Sequence, residues 1–424
     1  MSEAPRQRTG PIGKTLYEAG VVTREQVTEA LDVQRREGGK TFEILIRLGH
    51  LNKDDLHAVL SQQPGVASID ISRFKVSPEY LSLIPKELAL KELVLPIDKM
   101  GKLLTVAMAC PLDTTTIEEL ESLTGLRVKA VLSKYDDIVA ALEKYYPSER
   151  SGEGELPTFE LPARHGTVPT RNLTEDIKQL EMLAAAPGLL DKVLAASKDG
   201  ADLKVVMQTA SADPALSGWL LALANSPAYG MPSQVESLGL AVALLGAPGV
   251  RSAVELMKKN APKPKSDFSE AYESTRTASL IAAALAKKSG KVERGSAFTA
   301  GLLRRLGWFV LATLQPGDYP NGQVGEVEFC EQERKRFGLS HVEAGAIMAN
   351  RWRYPEALVG AIGASPVQAG TSHSLAAVAV LSNLLAEKGR AQGASCLDGQ
   401  QQHLAALGIE QDAAFKEAEK ILNA

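Results

Sequence analysis

The chain has 424 residues, 45% hydrophobic and 23% charged, with a formal net charge of −4. That length exceeds one ordinary core and predicts two or three domains of a soluble globular type, while the small negative charge offers no general attraction to nucleic acid or anionic lipid. The N-terminal MSEAPRQRTGPIG lacks a hydrophobic signal core and no uninterrupted apolar run reaches the ~18 residues of a span, so a cytoplasmic protein without a membrane span is expected. Cys110, Cys330 and Cys396 are far apart and odd in number, which excludes a disulfide framework or a CxxC zinc site and predicts buried or surface thiols.

The N-terminal stretch repeats. A shift of 29 positions lays Leu16 on Leu45, Gly20 on Gly49, Val22 on Leu51, Leu31 on Leu60 and Gln34 on Gln63. Each unit predicts a short helix stopped by glycine and then a second helix, with Thr23 and Asn52 as N-caps ahead of Glu25 and of Asp54 with Asp55. Two units make a small four-helix lobe, an arrangement that packing alone can explain. The two copies, PIGKTLYEAGVVTREQVTEALDVQ (11–34) and KTFEILIRLGHLNKDDLHAVLSQQ (40–63), are separated by RREGG. They resemble the tandem template RLGxxLxxxGxϕxxxxLxxxLxxQ of the MshEN-type domain found on type II secretion and type IV pilus assembly ATPases, whose members often bind cyclic di-GMP.

The resemblance implies a nucleotide site drawn from Gly13, Lys14, Leu16, Gly20, Gln34, Lys40, Phe42, Leu45, Gly49 and Gln63. One departure matters: the Arg-Leu-Gly triplet is Pro11-Ile12-Gly13 in the first copy and Lys40-Thr41-Phe42 in the second. A ring at 42 either blocks backbone approach or stacks on a guanine. Losing one half-site costs about 1 to 3 kcal/mol, so weak or absent binding is expected, strengthened by Thr41→Leu with Phe42→Gly.

From 64 to 147 the texture changes. Strands are predicted at 66–71, 93–97, 103–108 and 127–132, and helices at 77–88, 113–124 and 135–146, giving a small α+β lobe. The run LPIDKMGKLLTVAMACPLD is similar to the second half of the same ATPase region, yet no GxxxxGK[ST] phosphate loop occurs after it. Residues 1–147 are therefore expected to form an MshEN-like sensor, with a 1–63 repeat lobe and a 64–147 α+β lobe. Residues 148–170, rich in Pro, Gly, Ser and Glu, are expected to be a linker.

The rest, 171–424, reads as helical, with helices expected at 175–182, 187–196, 203–210, 268–289, 296–314, 327–338 and 340–351. Two more in the last fifty residues flank a Gly-rich loop near 389–399 and cap the bundle. Its centre is DPALSGWLLALANSPAYGMPSQVESLGLAVALLGAPGVR (213–251), a helix, a tight turn and a helix that stops at Gly246, with Pro248 and Gly249 beyond. The blocks DPAL, LLALANSPAYG and AVALLGAPGVR resemble the HDOD domain of bacterial signalling proteins. The implied fold class is multidomain and mainly α: a helical plus small α+β N-terminal domain, then an all-α, HD-like helical domain.

The related HD phosphohydrolases hold a metal with paired His and Asp on facing helices. In FTAGLLRRLGWFVLATL (298–314), Arg304 and Arg305 stand at the His-Asp positions; SEAYESTRTASLIAAALAKK and AIGASP carry no histidine. Guanidinium groups do not ligate cations, so no metal, cofactor or catalysis is expected. His341, ahead of a Gly-Ala pair and Trp352, reads as a structural or partner-contacting residue, while Arg304 and Arg305 either cover a helix or hold an anion or acidic partner segment. Trp308 and Trp352 read as core anchors. The expected function is a cyclic di-GMP effector that relays to signalling or machinery proteins through the HDOD-like domain; the alternative is a protein-interaction scaffold whose nucleotide site has decayed.

Overall fold

Each repeat folds as its caps dictate. In the computed structural model, which describes residues 11–146, 173–198, 200–229, 234–263, 269–314, 326–364 and 373–423, helices α1 (Pro11–Glu18) and α2 (Arg24–Glu37) are followed by α3 (Thr41–Arg47) and α4 (Lys53–Ser61). The chain divides into two compact units, one built from residues 1–166 and 227–231 and the other from 167–226 and 232–424. The 148–170 segment lies outside the described residues.

In the first unit, Thr23 and Gln26 close a reciprocal capping box at the start of α2, and Asn52 accepts the Asp54 N–H at the start of α4. The first helix of each copy ends in the same six-residue loop. Gly20 at φ 73 and Gly49 at φ 75 let Val21 N–H reach the Leu16 carbonyl and His50 N–H reach that of Leu45.

The α+β lobe continues with α5 (Pro78–Leu81), α6 (Lys86–Glu92), β1 (Val94–Met100), β2 (Leu103–Met108), α7 (Thr114–Thr124), β3 (Arg127–Leu132) and α8 (Tyr135–Tyr145). The sheet order is β1-β2-β3: β1 pairs antiparallel with β2, while β2 pairs parallel with β3 across the α7 crossover, with Leu103 opposite Arg127. Two expectations need correction. The 66–71 stretch is no strand, because only Ser68 bridges to Leu132 before Asp70 caps a 3₁₀ turn over Ile71–Arg73. The 77–88 helix is two helices, because Pro85 disfavours helical backbone at Ile84 and itself caps α6. One apolar core, from Ile12 to Leu142, runs through both lobes of this unit.

The second unit opens with α9 (Leu173–Gln179), α10 (Pro187–Ala196), α11 (Leu203–Ala210), α12 (Pro214–Ala224), α13 (Leu238–Asn260) and α14 (Ser269–Ser289). It continues with α15 (Arg294–Leu303), α16 (Leu306–Leu314), α17 (Glu326–Phe337), α18 (His341–Arg351), α19 (Glu356–Ile362), α20 (Ser374–Gln392), α21 (Gln401–Leu407) and α22 (Gln411–Leu422). Every residue of α12 is buried. After it, Asn225 clamps the returning chain, its Oδ1 accepting Val235 N–H at 2.7 Å and its Nδ2 donating to the Val235 carbonyl at 2.9 Å. Within α13, Gly246 leaves the helix at φ 63, ψ 172, and Pro248 stands in the first turn of the helical stretch beyond it.

The expected 296–314 helix is broken, with Arg304 and Arg305 forming a turn between α15 and α16. The expected loop near 389 is helix as far as Gln392, because a side chain at Gly389 would meet Leu422 Cδ1 at 2.8 Å and glycine lets α22 pack there. By length and composition alone, α13 and the stretch Arg294–Leu314 are apolar enough to cross a membrane; 78% of the most apolar window of the second is buried inside the protein.

Candidate functional site

The repeat residues divide by what they touch. Leu16 and Leu45 are wholly buried, and Phe42 is 3% exposed in the same core. That corrects the idea of Phe42 as a stacking platform, because its ring is interior and Phe42→Gly would empty core volume rather than open a ligand surface. Gly13 is a packing position, since a Cβ there would lie 3.1 Å from Val27 Cγ1 of α2. Gly20 and Gly49 form the exposed turns described above. Gln34 joins the copies: its Nε2 donates to the Gly39 carbonyl at 2.7 Å and its Oε1 accepts from Thr41 Oγ1 at 3.2 Å. Gln63, just beyond the end of α4, donates back to the Val59 carbonyl of that helix at 3.4 Å.

The two lysines differ. Lys14 is exposed, 3.6 Å from Glu18 across one helical turn, a weak surface pair. Lys40 is half-buried and engaged internally, with Nζ 2.9 Å from Glu92 Oε2, 3.2 Å from Asp113 Oδ2 and donating to the Glu92 carbonyl at 2.8 Å. Burial works against ionising Glu92, but hydrogen bonds from Lys91, Lys40 and Thr116 outweigh it and hold the carboxyl down at about 2. In this arrangement the second copy presents no free charge at its opening triplet, while the first presents Lys14.

In the helical unit, Arg304 and Arg305, the pair expected at the His-Asp positions of HD enzymes, are both interior. Arg304 is 1% exposed, and its guanidinium donates to the carbonyls of Ile362 and Ala364 where α19 ends. It satisfies helix-terminal acceptors that would otherwise be buried and bare. Arg305, 6% exposed, donates to Glu387 at 2.7 Å and to Ser274 Oγ at 3.4 Å, and its guanidinium lies 4.5 Å from the centroid of the Trp308 ring. Neither arginine offers a surface to an anion or partner, which corrects that alternative.

His341 is 1% exposed and likewise offers no surface to a partner. Cys330, Glu333 and His341 form a buried cluster whose ligand atoms lie within 4.8 Å of one another. Glu333 Oε2 accepts from the His341 backbone N–H at 2.9 Å and is 2.7 Å from Nδ1, while Cys330 Sγ is 3.9 Å from Nδ1. Tetrahedral ligands at ordinary zinc bond lengths sit about 3.3 Å apart. A 2.7 Å separation is that of a hydrogen bond, which orients the imidazole between Trp308 and Phe329 and anchors the first turn of α18. The signal for Cys330 and Glu333 was their i, i+3 spacing on one helix face, unremarkable until α17 folds back on α18.

Comparison with known proteins finds the HDOD domain at residues 183–366 and the MshEN domain at 65–152, the latter covering the α+β lobe. The type IV pilus assembly ATPase PilB of Myxococcus xanthus is 32% identical over 138 residues, 32% of this chain. That match spans about a quarter (24%) of the relative's own length. The MmoQ response regulator from Methylococcus capsulatus aligns at 24% identity and TM-score 0.47, over 56% of this chain and 98% of that one. A structure of MshE with cdg aligns at 30% identity and TM-score 0.27, over 33% of this chain and all of that one.

Proposed function

From a chain that joins an MshEN domain, preceded by the tandem-repeat helices, to an HDOD domain, we propose a non-catalytic bacterial signalling protein that senses cyclic di-GMP through its N-terminal unit, at the repeat, and relays it to protein partners through the HDOD domain. The observation that carries the nucleotide part is the repeat: two exposed glycine turns, at Gly20 and Gly49, with the same hydrogen bonds in each copy. Such a pair suits a ligand with two equivalent halves, and Lys14 adds an exposed cation beside the first.

Absence of catalysis rests on Arg304 and Arg305, whose buried guanidiniums take up the ligand positions and repel a cation. Full-length protein with added Mn²⁺ is expected to leave cyclic and linear dinucleotides intact; turnover abolished by His341→Ala overturns this. Calorimetric titration of cyclic di-GMP into the full chain tests the effector role. Saturable binding that Lys14→Glu weakens at least about tenfold supports it. Absence of heat at millimolar nucleotide sinks it in favour of the scaffold reading, which the interior Phe42 and the ion-paired Lys40 favour.

A further inference from the structure

The helical unit carries a groove of about 1020 Å³ whose charge opposes that of the chain. One wall is a face of α14, where Glu273, Arg276, Leu280, Ala284 and Lys287 recur at helical spacing. The other is contributed by Glu417, Lys420 and Ile421 of α22, with Arg294 and Arg390 at the rim. Among the described residues, Arg276, Lys287, Lys288, Arg294, Arg390 and Lys420 share the lining with two carboxylates, Glu273 and Glu417, a local net of +4 in a chain of net −4.

Little of this charge is used internally. Lys420 pairs with Glu417 at 2.8 Å and Arg390 donates to the Leu422 carbonyl at 3.0 Å. Arg276, Lys287, Lys288 and Arg294 make no salt bridge among the described residues. The cations of α14 are felt across the groove: Glu417 is held below the usual carboxylate range by Lys420 first, with Lys288 and Lys287 adding to it. Between the charges lies apolar surface, Leu280 at 44% exposure flanked by half-buried Ala283, Ala284 and Ile421. A large aliphatic side chain among alanines, left to water, leaves apolar area for a partner to cover.

We propose that this groove docks an acidic amphipathic helix of a partner protein, its leucine-like side chains on Leu280 and Ile421 and its carboxylates on the basic rim. The small residues at 283 and 284 allow a helix to approach closely, and helix-in-groove recognition uses this i, i+3, i+4 spacing of anchors. A nucleotide fits less well, because among the described residues no aromatic side chain lines the groove to stack a base. The inference rests on reading the helical unit as an interaction domain and supplies the chemistry of its partner.

The test uses full-length protein without nucleotide, so its outcome is separate from that of the cyclic di-GMP titration. The probe is a labelled synthetic helix with leucines at i, i+4, i+7 and i+11 and glutamates on both flanks, followed by fluorescence anisotropy. Expected are saturable binding and a Kd raised at least about tenfold by Arg276→Glu with Lys287→Glu and, separately, by Leu280→Asp. All three positions are exposed, and unchanged melting temperatures verify that the variants fold. The proposal is overturned by no binding, by equal binding of polyglutamate or of the same helix with lysines for glutamates, by retention in both variants, or by displacement with cyclic di-GMP.

Discussion

Asp213 shows how much one local motif can carry. Its Oδ1 accepts Ala215 and Leu216 N–H at 2.8 and 3.1 Å, capping α12, while Oδ2 accepts Ala186 N–H at 2.9 Å and ties in the chain entering α10. Burial pushes the carboxyl up to about 6 against these three amides. Asparagine has a single acceptor oxygen, so Asp213→Asn leaves at least one buried N–H facing another donor. A loss of about 1 to 3 kcal/mol is expected, read by denaturant unfolding. Lys40 makes a pH-dependent case. Glu92 has a folded value of about 2 against an ordinary 4.5, so its contribution is present above pH ~4.5 and is lost as pH falls toward 2. Lys40→Met removes one of the groups holding Glu92 ionised, and the acid-unfolding midpoint of the N-terminal unit should move up by about one pH unit, followed by circular dichroism. An unmoved midpoint would mean that Lys91 and Thr116 suffice.

At the scale of elements, helices of this domain meet where glycine permits it. A Cβ on Gly307 of α16 would fall 1.7 Å from the His341 carbonyl oxygen and 2.7 Å from Gly345 N, so the two backbones touch where α16 crosses the start of α18. The Gly-Ala pair after His341 is therefore a crossing point, and the cluster of His341 with Glu333 sits beside it. Gly307→Ala should destabilise the unit by about 3 kcal/mol or more, because backbone cannot yield as a side-chain end can. The control is Gly360→Ala, in α19, where nothing lies within 4 Å of the added atom; its melting temperature should stay at or above that of the parent chain. Equal losses in the two variants would refute the crossing.

For the whole molecule, the consequence is a division of labour between two units. The core of the first closes on itself between Ile12 and Leu142, and α14, α20, α21 and α22 share a core of their own in the second. A protease site inserted between residues 155 and 160 should therefore release two fragments that each unfold cooperatively, their melts adding to that of the intact chain. A fragment that loses its cooperative transition on cleavage would show that its core is incomplete.

Much of this was legible in the chain itself, for a physical reason. Caps, glycine stops and runs of β-prone residues act over a few residues, so the Thr23 cap, Gly20 and Gly49, the β2 and β3 boundaries and the Gly246 break can be read from neighbours in sequence. The absence of histidine and aspartate at the HD ligand positions is likewise a matter of reading letters. What those letters do instead was decided by tertiary structure: Arg304 closes onto α19 58 and 60 residues away, Lys40 meets Glu92 after 52, and the cations of α14 around Leu280 are joined by Arg294, Arg390 and Lys420 only when α15, α20 and α22 pack beside it. Long-range pairings of charge and carbonyl leave no periodic trace, because they depend on which helix faces meet, and that is set by the packing of the whole core.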